Sequence, residues 1–343
     1  MATNFYVDPA ASGAANGTSW TDAWTTLQTA ADTAIAGDIV YCRGTQNITA
    51  AIDFNTSSGT YNGGYIKFIG CNASGTNNGE YFVLDGGDND INGIYNNQKS
   101  YIWLENFKLT RCGTSGSKGG LAFNQAGYSD SCVFINVWFH DNNRYGLYGA
   151  WANRFGTFLC CKWTSNTLAQ IQVAGISNRY VGCVIKDGGA GGVNDESGGQ
   201  VYVDCIFHNN TTYGLYSYGQ ITAINCIFDS NGTYGLHINY IVQTTCIGCR
   251  FTNQIGSGDL GIYVGANVSS GALVGCYLGN NATPYTANRM QELPYKNVNT
   301  NTIGGTDTDA ANGALYGGYT DITNDDFNLK STATLRSQAL ELP

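Results

Sequence analysis

Lys186, His208 and Asp229 occupy matching places in three consecutive repeats of this 343-residue chain. A cation, an imidazole and a carboxylate stacked at a strand spacing of about 4.8 Å could abstract a proton from an acidic sugar. The base would take the proton while the cation steadied the enolate-like anion. The same row also suits a solvated polar face. A second set of residues suits binding. One outward column is read as Tyr148, Ile171, Asn194, Tyr216, His237 and Tyr263, with Glu196, Tyr218 and Asn239 two residues further along. Aromatic faces stack on sugar rings and amides bond hydroxyls, although tyrosines also simply pack along a ladder. A third set, Asp85-Gly-Gly-Asp88-Asn-Asp90, offers hard oxygen ligands that could hold calcium. It lacks the full calcium loop with its distal Glu, so an Asx-rich turn is the simpler expectation. No other cofactor is expected.

These positions match because the chain repeats. Cys205 to Tyr216 and Cys226 to His237 share eight of twelve residues, 21 residues apart. Self-similarity at that period marks a solenoid. Aligned on one strand position, the coils place Asn106, Asn136, Cys161, Cys183, Cys205, Cys226, Cys249 and Cys276 in register, at intervals of 30, 25, 22, 22, 21, 23 and 27 residues. Two residues on, with Phe107 only one residue on, come Phe107, Trp138, Trp163, Ile185, Phe207, Phe228, Phe251 and Leu278. Period-2 spacing puts both columns on the inward face. Five residues after the reference position stand Asn166, Gly188, Asn210, Asn231 and Asn281, with Asn142 and Asn253 displaced by one. Asn and Gly tolerate the left-handed conformation of a sharp corner, so an Asn ladder is expected there.

That register removes cysteine from the list of reactive candidates. Six of the twelve Cys take one inward position, where a free thiol packs as a small apolar group. Cys246-Ile-Gly-Cys249 has CxxC spacing but no second pair or His-rich partner to complete a zinc site.

Composition agrees with strands and excludes several classes. Charged residues are 12%, Gly is 46, and no Pro falls between Ala10 and Thr283, as an unbroken ladder requires. The net charge is −9 with 16 thinly spread basic residues, which disfavours nucleic acid. No apolar run reaches the roughly 18 residues needed to span a bilayer. The N-terminus, Met-Ala-Thr-Asn-Phe-Tyr-Val-Asp, has no basic, apolar leader pattern.

Residues 1–45 are expected to form a short strand and one amphipathic helix from Asp22 to Ala36. Its N-cap would be Asp22, its apolar stripe Trp24, Leu27, Ala31 and Ile35, and its stop Gly37. Such a helix would cap the open end of a solenoid core. Residues 46–284 are the coils, and residues 285–343 a closing segment in which the period fades. The expected fold is all-β: a single-stranded right-handed parallel β-helix of roughly ten coils with an N-terminal capping α-helix.

Tyr6-Val7-Asp8-Pro9, Asn16-Gly17-Thr18-Ser19-Trp20, Ala23-Trp24, Leu27-Gln28 and Gly37-Asp38-Ile39-Val40-Tyr41 resemble the N-terminal cap of the pectin-lyase-like right-handed β-helix group. Asp326-Phe327-Asn328-Leu329-Lys330-Ser331 resembles its closing segment. The resemblance implies that fold, and a group spanning lyases, hydrolases, tailspikes and bacterial surface proteins; fold alone does not choose among them. Neither the pectate-lyase set of Asp calcium ligands with an Arg nor polygalacturonase-like Asp pairs are recognisable. Asp195 and Glu196 are neighbours on opposite faces, the wrong arrangement for a glycosidase pair. The expectation is therefore a structural or adhesive phage virion component, a head decoration or tailspike-like appendage, located on a virion or outside the cell. It would bind a glycan, with a virion or cell-surface protein as a further partner. The alternative is a secreted polysaccharide lyase or glycoside hydrolase. An oligomer, a trimer as in tailspikes, is compatible with either.

Overall fold

The computed structural model describes residues 2–297, apart from 125, 150–151, 174, 197, 240–243, 256–259, 265–270, 275, 280–282, 287–289 and 293–295. It also describes 319–321 and 326–329. The chain winds through three parallel sheets in turn. A representative coil passes from Gln200–Val203 in the first sheet to Ile206–His208 in the second and Tyr213–Ser217 in the third. The sheets hold 12, 11 and 10 strands respectively. Thr283–Thr286, Met290–Glu292 and Lys296–Asn297 extend all three past residue 284. Asp326–Leu329 pairs antiparallel with Tyr319–Asp321.

Alternation along each short strand fills the interior. Phe134, Phe158, Tyr180 and Tyr202 stack coil on coil at centroid distances of 4.6, 4.8 and 4.9 Å. Phe207, Phe228 and Phe251 do the same at 4.5 and 4.7 Å. The cysteine column is buried, and its thiols donate to carbonyls of the preceding coil, as from Cys183 to Phe158 at 3.4 Å and from Cys205 to Tyr180 at 3.5 Å. All twelve thiols are free. Burial pushes Cys183 and Cys226 up, which keeps them protonated and inert.

The register corrects two columns. Trp138 pairs with Lys162 and Lys108 with Trp138, so Val137 and Phe107, not Asn136 and Asn106, continue the cysteine column. Asn106 and Asn136 sit one residue earlier, at the corner between the first and second sheets. There Asn106, Asn136, Cys160, Gly182, Asp204, Asn225 and Gly248 all have φ between 48° and 62°. Asn reaches this left-handed region because its short amide can bond locally; Asn136 Nδ2 donates to Asn106 Oδ1 at 2.8 Å. Trp138 consequently points outward, while Phe139 takes the inward place and stacks on Trp163 at 5.1 Å.

At the second corner, the left-handed residue is the one before the ladder, as at Ser165, Asn209 and Asn253. The ladder itself is buried. Asn142 donates to Asn166 at 2.8 Å and Asn210 to Asn231 at 2.9 Å. The Asn231 backbone N–H donates to Gln254 at 3.0 Å, so Gln254 holds the rung expected of Asn253. Where Gly188 lacks a side chain, Gln170 bridges the gap, accepting from Asn166 and donating to the Lys186 carbonyl at 2.8 Å. Asn281 lies outside the described residues.

The helix is shorter than its periodicity suggested, spanning Leu27–Thr33 with Thr26 as N-cap. Tertiary contacts claim the residues before it: Asp22 accepts from the Ala14 backbone at 2.8 Å, and Trp24 bridges to Val7. Leu27, Ala30 and Ala31 bury against the core, but Ile35 lies past the helix and is 58% exposed.

Candidate functional site: a cationic cleft on the second sheet

The outward face of the second sheet gathers titratable and aromatic side chains. Its residues belong to three-residue strands whose central side chain points inward, as in Val184–Lys186 and Ile206–His208, so both flanking residues face out. Strand pairing stacks Thr110, His140, Thr164, Lys186 and His208 in one continuous column. Asp85 stands at one end and Asp229 at the other, with no carboxylate between them. The neighbouring outward column includes Lys108, Trp138, Lys162, Val184 and Ile206.

Between the two columns lies a cleft of about 250 Å³ lined by Trp138, Lys162, Thr164, Val184, Lys186, Ile206 and His208. Trp138 forms its aromatic wall. Lys108 Nζ lies 4.7 Å from the ring centroid, the indole N–H donates to Thr164 Oγ1 at 2.9 Å, and the His140 ring packs at 4.5 Å. His140 Nδ1 is 2.7 Å from Asp141 Oδ2, yet burial pulls its pKa below the ordinary histidine value. Two lysines and a histidine thus face a small concavity on a chain whose net charge is −9.

Lys186, His208 and Asp229 do come together in adjacent strands, but in unequal roles. Lys186 and His208 line the cleft. Asp229 was expected on the solvated face and is instead only 1% exposed. Thr252 and Ser230 hydroxyls and the Asn253 amide all donate to it. Its Oδ2 lies 3.3 Å from His208 Nδ1. Burial would raise its pKa, but these bonds outweigh that and hold it below the ordinary value, so it stays a carboxylate. Asp229 is placed to orient His208 rather than to meet a ligand. Trp138 was missed as a cleft residue because its coil was aligned on Asn136; Lys162 follows the correctly aligned Cys161, but Lys108, Trp138, Lys162, Val184 and Ile206 share no residue type that marks them as a column. The apolar pair Phe107 and Val137 was the signal for the correct register.

The third sheet holds the second expected set. Tyr148, Asn194, Tyr216, His237 and Tyr263 share an outward column. Gln172 occupies the place read as Ile171, whose side chain is fully buried. Their polar groups bond one another. Tyr216 donates to Tyr218 at 3.0 Å and accepts from Asn239 at 2.7 Å. Gln172 donates to Glu196 at 2.7 Å and accepts from Asn194 at 3.0 Å. The His237 ring meets Tyr216, Tyr234 and Tyr263 edge-on at 4.4, 4.6 and 4.6 Å, and burial lowers its pKa to about 4.

The acidic stretch expected as a turn lies instead in the strand Phe82–Asn89, with a bulge between Asp85 and Asn89. Arg111 forks onto Asp85, Lys118 pairs with Asp90 at 2.7 Å, and Asn143 donates to Asp88 at 3.0 Å. No group of three or more His, Cys, Asp or Glu residues suited to a metal ion occurs among the described residues, Cys246 and Cys249 included. No helix among them is long and apolar enough to cross a membrane.

A family model described as "Right handed beta helix region" matches residues 119–283. Solved structures of the same shape include pectate lyase Pel9A, with TM-score 0.59 and 15% identity over 97% of this chain and 91% of that one. A rhamnogalacturonan lyase gives 0.57 and 14% over 79% and 85%. The enzymatically active domain of tailspike protein 2 from bacteriophage CBA120 gives 0.58 and 15% over 87% of this chain and 47% of that one. A search of curated protein sequences finds no match. The chain folds as a right-handed parallel β-helix, the shape that these lyases and the tailspike domain also have.

Proposed function

We propose that this protein is a glycan-recognising β-helix that takes an anionic saccharide into the second-sheet cleft. The cleft itself carries the reading: an indole wall, two lysines and a histidine around about 250 Å³, which is the volume of a small ligand rather than a chain-length groove. Trp138 offers an aromatic face to a sugar ring. Lys162 and Lys186 offer charge-assisted hydrogen bonds to a carboxylate or sulfate, each stronger than a neutral one. The setting is an appendage on a virion or outside the cell, in keeping with shape-mates that include a phage tailspike. The tyrosine column of the third sheet, Tyr148, Asn194, Glu196, Tyr216, Tyr218, His237 and Tyr263, bonds within itself and would meet only the outer residues of a longer glycan, not the acidic oligosaccharide held in the cleft. Titration with acidic and neutral oligosaccharides tests the reading. Binding confined to acidic ligands and weakening with salt supports it. Equal binding of neutral ligands, or none of either class, overturns it.

One observation favours a second reading in which the cleft also acts. His208 beside the buried Asp229 carboxylate is oriented as a general base, with Lys186 in the next strand. On a uronate, His208 would remove the proton α to the carboxylate and Lys186 would steady the resulting anion. The electron pair would then expel the β-glycosidic oxygen, leaving an unsaturated sugar. New ultraviolet absorbance from unsaturated ends, lost in His208→Ala, would establish this reading; its absence across acidic polysaccharides would leave the cleft a binding site.

A further inference from the structure

The first sheet presents a face unlike the other two. Over seven strands, from Val133–Ile135 to Gly271–Val274, its outward positions form two columns. One runs Ile135, Leu159, Val181, Val203, Ile224 and Ile247, and ends at Val274. The other runs Val133, Thr157, Arg179, Val201, Thr222 and Thr245, and ends at Ala272. Ile247 is 39% exposed and its column neighbours are half-buried. The chain has 25 carboxylates, and not one occupies these fourteen positions. Arg179 is the single charge. Across the corner, Ile227 continues the apolar surface onto the second sheet, while Val184 and Ile206 belong to the cleft. Single exposed aliphatics are ordinary, but a contiguous band of several hundred Å² marks an interaction surface.

We propose that this band is the interface through which a second copy of the chain packs side by side with the first. Three observations select a copy over another protein. The first is period: the aliphatic columns repeat at the coil rise of about 4.8 Å, and an identical rod lying parallel offers ridges at that same spacing along the whole contact. The second is area. Seven strands span roughly 29 Å, and strands of three to four residues are roughly 13 Å wide, so the face covers on the order of 400 Å² per copy. The pair then buries about 800 Å² in total, the size of a weak, concentration-dependent association. The third is charge. Arg179 lies at one lateral edge of the face, and the exposed Asp204 lies at the opposite edge one coil further on. In a two-fold pair of parallel rods, opposite edges meet, so each Arg179 faces the copy's Asp204.

Sedimentation of the full chain tests the proposal. The wild type is expected at twice 36.6 kDa, with Val203→Lys and Ile224→Lys each raising the concentration needed for association at least tenfold. Both side chains point outward, so far-ultraviolet dichroism and the unfolding midpoint should hold. If either variant fails to fold, Arg179→Glu provides the second arm: it weakens association, and Asp204→Arg in the same chain restores it. A wild type that sediments as a single chain at every concentration overturns the proposal, including if it captures a different protein. So does an oligomer that survives Val203→Lys, Ile224→Lys and Arg179→Glu alike.

Discussion

The second and third sheets start from the same repeat and the same alternation, yet their outward faces end differently. On the third, Tyr216, Tyr218 and Asn239 bond one another and His237 sits among three tyrosine edges, so the column fills its own space. On the second, alternation of one large indole with lysines, threonine and small aliphatics leaves a cleft. Side-chain size along a column, rather than the presence of polar groups, decides whether a β-helix face becomes a ladder or a site. Aromatic residues at matched heights satisfy one another. Trp138, whose neighbours along its own column are Lys108 and Lys162, cannot.

The sharpest contrast is between two tryptophans in neighbouring strands. Trp163 points inward against Phe139 and Phe158 and is fully buried, so Trp163→Ala should cost about 3–5 kcal/mol in denaturant unfolding. Trp138→Ala should leave unfolding nearly unchanged but abolish detectable binding of an acidic oligosaccharide. A stability loss at Trp138 as large as that at Trp163 would mean the cleft wall is merely packing. Next in size is the ladder. Asn210→Ala strips an acceptor from the Gly188 backbone N–H and removes one of the two donors to the buried Asn231 Oδ1. About 1–3 kcal/mol of stability should go, with saccharide affinity unaltered. On the third sheet, Tyr216→Ala should remove aromatic contacts worth roughly 0.5–1.5 kcal/mol each and leave acidic-ligand binding in the cleft intact.

Acid separates the two faces by pH window. His237 is held neutral in the folded state with its pKa near 4, against 6.5 for the free side chain. Below pH 6.5 the unfolded chain takes up a proton that the folded one refuses, so stability falls as pH drops from about 6.5 to about 4. His237→Gln should flatten that slope. Asp229, with its pKa depressed, contributes stability that is fully present above its unfolded value near 3.8 and lost as pH falls through its folded value. Asp229→Asn should change only that more acidic limb. Unfolding midpoints measured across pH 3 to 7 in both variants distinguish the two windows.

The solenoid was legible because the rungs constrain sequence directly. A fixed corner length and period-2 strands make Cys205 and Cys226, or Phe207 and Phe228, recur 21 residues apart, and the preceding coil of 22 residues brings Lys186 level with His208. Legibility failed where one rung could be traded for its neighbour. Asn136 and Cys161 look equivalent by type, since Asn marks both corners, but the corner Asn is left-handed and precedes the inward residue. That slip of one hid Trp138, just as reading Ile171 for Gln172 mixed inward with outward on the third sheet. The burial of Asp229 could not be read at all, because Thr252 and Asn253 cover it from the following coil. The helix was overextended for a similar reason, with strand-like bridging of Trp24 to Val7 overriding local periodicity.

The claim that the second sheet holds the binding site rests most directly on calorimetric titration of a uronate oligosaccharide into wild type, Lys186→Ala and Tyr216→Ala. The cleft account predicts that Lys186→Ala loses roughly 10–100-fold in affinity, the equivalent of about 1.5–3 kcal/mol for one charge-assisted hydrogen bond, while Tyr216→Ala binds as the wild type does. Affinity that survives Lys186→Ala and collapses in Tyr216→Ala would move the site to the third sheet and contradict the account.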